Sequence, residues 1–308
     1  MTEHRLQFKY AKIIEWNRYA DTATLTMNTT VGFLAGRLPI LLTLTALTVI
    51  TLFDPIAQKE PPTKEELAAT TDRGRDLAGY DAAAWHASDA VQAKQPKEGS
   101  VVRYIAHKTE KKWVVAFGRL DEKGEKFLIA YEATQGDKSD VFDVKELTPP
   151  KEDTGFFLSA AKAIDTTLKD FVDHFQGDQR PYNVAVLPAE KGQIWAYLVP
   201  APTKPNVWPL GGDVRYLVSA DGTKIVSKRQ LHKSVIEVER PKDDNKQQVG
   251  GIHTHVLDDT PEDSDVFHVL TRKPAVPEMV ITKQFVFQVD PDGSIKYVGK
   301  SEDVLKKE

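Results

Sequence analysis

The chain contains no cysteine. That removes disulfides, thiolate zinc sites, iron–sulfur clusters, cysteine nucleophiles and lipid attachment at a cysteine. An excess of positive charge is also missing, because 41 Lys+Arg stand against 45 Asp+Glu for a formal net charge of −4. Phosphate binding needs clustered cations, so nucleic acid is not an expected partner. There is no G-x-S-x-G elbow for serine hydrolysis and no Gly-rich phosphate loop. Gly211-Gly212 and Gly250-Gly251 are isolated pairs that read as turns or bulges. What remains is the ordinary balance of a folded protein, 41% hydrophobic and 28% charged over 308 residues. That length allows one large or two medium domains.

One run breaks the even mixture of polar and apolar residues. Leu38 to Phe53 carries no charge, and extending it back to Val31 adds only Arg37. A membrane-spanning helix needs about 20 mostly apolar residues and a secretory core about 7–15. Residues 31–53 therefore fit an uncleaved anchor, and 38–53 fits the core of a cleavable signal peptide. A buried helix of a soluble protein is the third reading. The tail 1–37 carries Arg5, Lys9, Lys12, Arg18 and Arg37 against Glu3, Glu15 and Asp21. Positive-inside logic keeps that tail cytoplasmic and exports residues 58–308, placing them outside the cytoplasm at the cell envelope or periplasm. A start at Met27 would shorten the tail into a signal-peptide n-region. Ala57 is then the best cleavage position, with Pro55 awkwardly at its −3 site.

The exported part divides by composition into 58–200 and 201–308. The polar stretch 58–66 is a spacer, and a helical pattern follows from about Thr63 to the Gln95-Pro96 step. Three strand-like runs, 100–108, 112–120 and 126–134, are joined by short polar turns and so pair antiparallel. Residues 141–147 add a strand, and Pro149-Pro150 is expected to end the sheet. Residues 154–176 make the best amphipathic helix, with Gly177 at its C-cap. The hairpin 182–201 resembles 114–133, each a strand, an Glu-Lys-Gly turn and a strand containing Ala-Tyr. A duplicated unit and a chance likeness of two hairpins both account for it. Four prolines in 200–209 mark a linker or a rigid crossing loop. Beyond it the pattern is strand-like throughout, including DVFHVLT (265–271) and a meander through 234–240, and the tail 301–308 reads as frayed.

Chemistry concentrates at 250–270. On a strand, His253 and His255 project from one face, because side chains alternate with period two. His268 follows nearby, and Asp258, Asp259, Glu262, Asp263 and Asp265 crowd the connection. Two imidazoles and a carboxylate form a reasonable zinc-binding set with a water in the fourth position. Other pairs, His86 with Asp89 and His174 with Asp170, sit at helical spacing and need no catalytic explanation.

The His-x-His…Asp pattern resembles the JAMM/MPN metallopeptidases over roughly residues 250–265. The resemblance implies His253, His255 and Asp265 as zinc ligands, with Glu237 or Glu239 upstream as general base. The departures are an interval of ten residues rather than eleven to the aspartate, Asp263 at the family serine and Val256 at the family proline. A strand-like run also takes the place of the family helix.

The expected fold is α+β, with a membrane or signal segment, two helices packed on antiparallel sheet, and a strand-rich C-terminal region. Two function classes follow. One is a non-catalytic, exported or membrane-anchored envelope protein that binds an unknown protein partner and needs no cofactor. The other is a zinc-dependent hydrolase centred on His253 and His255.

Overall fold

A computed structural model describes residues 60–175, 180–239 and 248–307. The tail 1–37, the apolar run 38–53, the Gly177 cap and residues 240–247 lie outside the described residues. Among the described residues no helix is long and apolar enough to cross a membrane.

The fold is α+β, with antiparallel sheets and a strand-rich C-terminal part. Helix α1 (Lys64–Gln92) opens with a capping box in which Thr63 and Glu66 satisfy each other's backbone N–H. Strands β1 (Arg103–Lys108), β2 (Trp113–Leu120), β3 (Phe127–Gln135) and β4 (Phe142–Asp153) form the antiparallel meander expected from their short turns. The sheet does not stop at Pro149-Pro150, because β4 runs on to Asp153 and pairs there with Phe127. β4 is an edge strand, where a residue lacking N–H can face solvent without breaking a ladder.

Helix α2 (Phe156–Phe175) follows, burying Leu158, Ala161, Ile164 and Phe171. A second antiparallel sheet has the order β5 (Tyr182–Pro188), β6 (Ile194–Pro200), β8 (Val214–Val218), β9 (Ile225–Gln230). The two look-alike hairpins occupy strands two and three of one sheet and strands one and two of the other. One large core joins both sheets and both helices, with Leu77, Tyr80, Ile105, Phe127, Tyr197 and Tyr216 fully buried. Each such apolar side chain contributes about 1.5–3 kcal/mol on burial.

The last third departs most from the expected strands. β7 (Val207–Gly211) pairs with β10 (Val235–Glu239) as a separate ribbon, so 234–240 does not extend the preceding meander. β11 (Gly251–Thr254) pairs parallel with β12 (Glu278–Ile281), and β13 (Phe285–Val289) and β14 (Ile295–Lys300) continue antiparallel. A parallel pair needs a crossover, and the crossover is helix α3 (Asp263–Thr271). The stretch read as the strand 265–271 is therefore helical. Glu262 caps it and Asp263 and Asp265 fill its acidic first turn, where the helix dipole favours carboxylates. The tail also folds, into α4 (Ser301–Val304) and one 3₁₀ turn.

Val266 and Val269 of α3, Val280, Phe285, Phe287 and Val289 of the sheet, and Leu67 of α1 make a second, smaller core. α1 thus contributes to both cores. Its contact with α3 depends on Gly74, since a Cβ there would stand 2.4 Å from the Val266 Cβ and 2.6 Å from the Asp263 carbonyl oxygen.

Candidate metal centre

The period-two reading of β11 holds: His253 and His255 turn to the same, buried side. α3 begins directly across from them and delivers Asp265 from its first turn. The fourth participant, His232, comes from the turn after β9. That turn is pinned by the buried Leu231, whose N–H donates to the Asp213 carbonyl at 2.9 Å, and by the Gln230 amide, which donates to the His232 carbonyl at 3.1 Å. One ligating atom from each of His232, His253, His255 and Asp265 lies within 4.8 Å of all the others.

Five of the six separations between these atoms are close to those between ligands of one small metal ion. His232 Nε2 is 2.9 Å from His255 Nε2, and His253 Nε2 is 3.1 Å from His255 Nε2. Asp265 Oδ1 lies 3.1 Å from the Nε2 atoms of both His232 and His253, and Asp265 Oδ2 lies 3.2 Å from that of His255. Ligands at about 2.0–2.1 Å around a tetrahedral zinc stand about 3.3 Å from one another.

The far nitrogen of each ring is held by an acceptor. His232 Nδ1 faces the Asp213 carboxylate at 2.7 Å, His253 Nδ1 faces Glu278 at 2.9 Å, and His255 Nδ1 faces the Thr260 carbonyl oxygen at 2.9 Å. All three partners accept, so each ring donates from Nδ1 and directs its Nε2 lone pair inward. Three lone pairs and a carboxylate converging in a buried space repel unless a cation lies between them. Metal-bound histidines are oriented in this way, by an acceptor on the far ring nitrogen.

Without a metal, protons take that role. Burial pulls the His253 pKa down, but Asp265 and Glu278 outweigh it and lift it to about 9. His232 is likewise raised well above its ordinary range, with Asp213 and Asp265 overcoming burial. Burial pushes Asp265 up, yet the surrounding imidazoles hold it well below the usual carboxylate range.

A further layer of charged groups fixes the four side chains. Asp265 Oδ2 accepts the Glu262 N–H at 2.7 Å, tying Asp265 to its own helix cap. Asp263 sits fully buried beside it and accepts from Arg73 at 3.0 Å, from the Tyr197 hydroxyl at 2.8 Å, and from Arg215. Arg229 pairs with Asp258 at 3.2 Å and with Glu262, holding the loop between β11 and α3. Arg272, almost fully buried, donates to Glu278 at 2.6 Å and to the Val276 carbonyl at 2.7 Å. Glu278 therefore couples a buried cation to His253.

Among the residues singled out from sequence, His253, His255 and Asp265 meet in this cluster. Glu237 does not join it: its carboxylate pairs with Arg180 at 2.8 Å. Glu239 is exposed at the end of β10. His268 is buried next to the Arg272 guanidinium, and burial together with that cation lowers its pKa to about 4. Sequence reasoning missed His232. Its only local signal was a histidine one residue beyond an apolar leucine at a strand end.

No protein-family model, curated protein or solved structure matches the chain.

Proposed function

We propose that the chain is a zinc-binding protein whose His232, His253, His255 and Asp265 form a closed four-ligand centre. Three nitrogens and one oxygen in a tetrahedral set suit zinc, whereas calcium and magnesium take oxygen shells. The observation that carries the reading is the convergence of three Nε2 lone pairs on one carboxylate. With four protein ligands no position is left for a water, which is the pattern of a structural site rather than a catalytic one. The metal would clamp the β9–β10 turn to β11 and α3. In this reading the protein acts without catalysis, as a binding or structural component of the cell envelope. Residues 58–308 are exported, and 31–53 serve as signal or anchor.

A second reading, the metal-dependent hydrolase, is favoured by one observation. The run after His-x-His is a helix carrying Asp265 in its first turn, as the JAMM/MPN resemblance requires. His232 then occupies the place a water would need.

The test is elemental analysis of the purified full chain beside a His253→Ala/His255→Ala variant, followed by cobalt substitution. The closed reading expects one metal equivalent that the variant loses, and a cobalt spectrum unchanged by azide. A spectrum that responds to azide reveals an open position and favours the hydrolase. No metal in the wild-type chain, even after incubation with zinc, ends both.

A further inference from the structure

We propose that the free edge of β11 is a self-association surface, through which two copies of this chain pair antiparallel about a twofold axis at His253. This goes beyond the metal centre and does not depend on what fills it.

β11 is the outermost strand of the sheet β11-β12-β13-β14. The N–H groups of Gly251 and His255 donate to the Pro277 and Ile281 carbonyls at 2.9 and 2.8 Å. Odd-numbered residues therefore face β12, and the main-chain groups of Ile252 and Thr254 point the other way. Among the described residues no strand lies on that side. Backbone groups of this kind form a template for another strand.

The remaining edges are defended. β4 carries Pro149, Pro150 and Lys151, β9 carries Lys228 and Arg229, and β14 carries Lys296 and Lys300. β1 ends in Arg103 and Lys108, β7 carries Pro209, β10 carries Glu237 and Glu239, and β5 is packed by both long helices. Charges and prolines of this sort block edge-to-edge pairing. β11 has neither. Ile252 is 67% exposed, and Val256, just beyond the strand, is 70% exposed. From Val249 to Leu257 the chain holds no Asp, Glu, Lys or Arg, so a second copy brings no like charge opposite the first.

A second copy also fits the register. With the axis at His253, Ile252 of one chain lies opposite Thr254 of the other, twice. Both positions are hydrogen-bonding and β-branched, and both use the free main-chain groups. The closed twofold leaves no edge exposed on that side.

Sedimentation of the detergent-solubilised full chain gives the mass of two chains, and Ile252→Lys gives one chain with unchanged metal content and circular dichroism. The absence of native cysteine allows a register test. A hydrogen-bonded antiparallel pair has Cα atoms about 5.5 Å apart, within disulfide span. Differently tagged Ile252→Cys and Thr254→Cys chains, mixed and mildly oxidised, form the mixed dimer faster than either forms a disulfide with itself. A wild-type chain that stays monomeric up to the highest concentration measured overturns the proposal. So does a dimer that survives Ile252→Lys, which would mean another interface such as residues 38–53, or equal cross-linking in every mixture.

Discussion

The Nε2 atoms of His232 and His255 lie 2.9 Å apart, and neither ring has a spare nitrogen to turn inward instead. Asp213 holds the far side of one ring and the Thr260 carbonyl the far side of the other. The carbonyl can only accept, so the Nε2 of a neutral His255 is a lone pair. In the proposed zinc centre His232 thus stands on the same footing as the two histidines of β11. His232→Ala is expected to lower zinc content and affinity as severely as His253→Ala, read by metal analysis and competition with a chromophoric chelator. A His232→Ala chain that keeps one equivalent at wild-type affinity would show that three ligands suffice.

The acceptors behind the rings are open to the same kind of measurement. Asp213→Asn and Glu278→Gln each weaken the hold on one histidine, and each is expected to reduce zinc affinity about 10–100-fold. Their effects on folding should differ. Glu278 also balances the buried Arg272, and removing one partner of a buried ion pair costs about 3–5 kcal/mol. In the metal-free chain Asp213 faces one buried cation, the protonated His232, whereas Glu278 faces two, Arg272 and the protonated His253, so Asp213→Asn should cost less stability than Glu278→Gln. Denaturant titration in chelator separates the two, and equal losses would contradict this division of labour.

Much of the frame could be read in the sequence because its signals are local. The helical pattern from about Thr63 announced α1, and short polar turns announced the meanders. The alternation of His253 and His255 placed both on one face. The rest depended on contacts between distant segments. DVFHVLT is a short apolar run that fits either period, and its helical identity rested on the acidic residues at its start. With that helix came the parallel pairing of β11 and β12, which no hairpin signal could indicate. His232 enters the site only because β9 ends beside β11, a neighbourhood set by packing. Asp263 looked like one more residue of a solvated acidic loop. Its three donors, Arg73, Tyr197 and Arg215, lie on α1, β6 and β8.

The Gly250-Gly251 pair supplies an internal control. A Cβ on Gly251 would stand 1.9 Å from Glu278 Oε2 and 2.8 Å from the Arg272 guanidinium, so the carboxylate that orients His253 has to move. A Cβ on Gly250 meets nothing closer than the Pro277 carbonyl oxygen at 3.5 Å, an ordinary contact. Gly251→Ala is expected to cost about 1–3 kcal/mol through overpacking and to weaken zinc binding, while Gly250→Ala leaves both near wild type. Thermal unfolding and zinc titration of the two variants side by side check it. Equal behaviour would mean that the Glu278–Arg272 pair is not held against the β11 backbone.

The stability of the chelator-treated chain should depend on pH. There His253 keeps its proton to about pH 9, because Asp265 and Glu278 overcome burial, whereas the unfolded ring releases it near 6.5. A pKa raised in the folded state contributes stability that is fully present below 6.5 and is lost as pH climbs through 9. The raised pKa of His232 acts in the same direction. The metal-free chain should therefore lose stability between pH 6.5 and 9. Zinc replaces those protons, and alkaline pH removes its competitor, so the stability added by metal should grow across the same window. Urea titrations at pH 6 and pH 9, with zinc and with chelator, give four values. The gap between zinc and chelator is expected to be wider at pH 9. A gap that narrows, or a metal-free stability that stays flat from 6.5 to 9, would mean that these histidines do not share the Asp265 carboxylate in the folded chain.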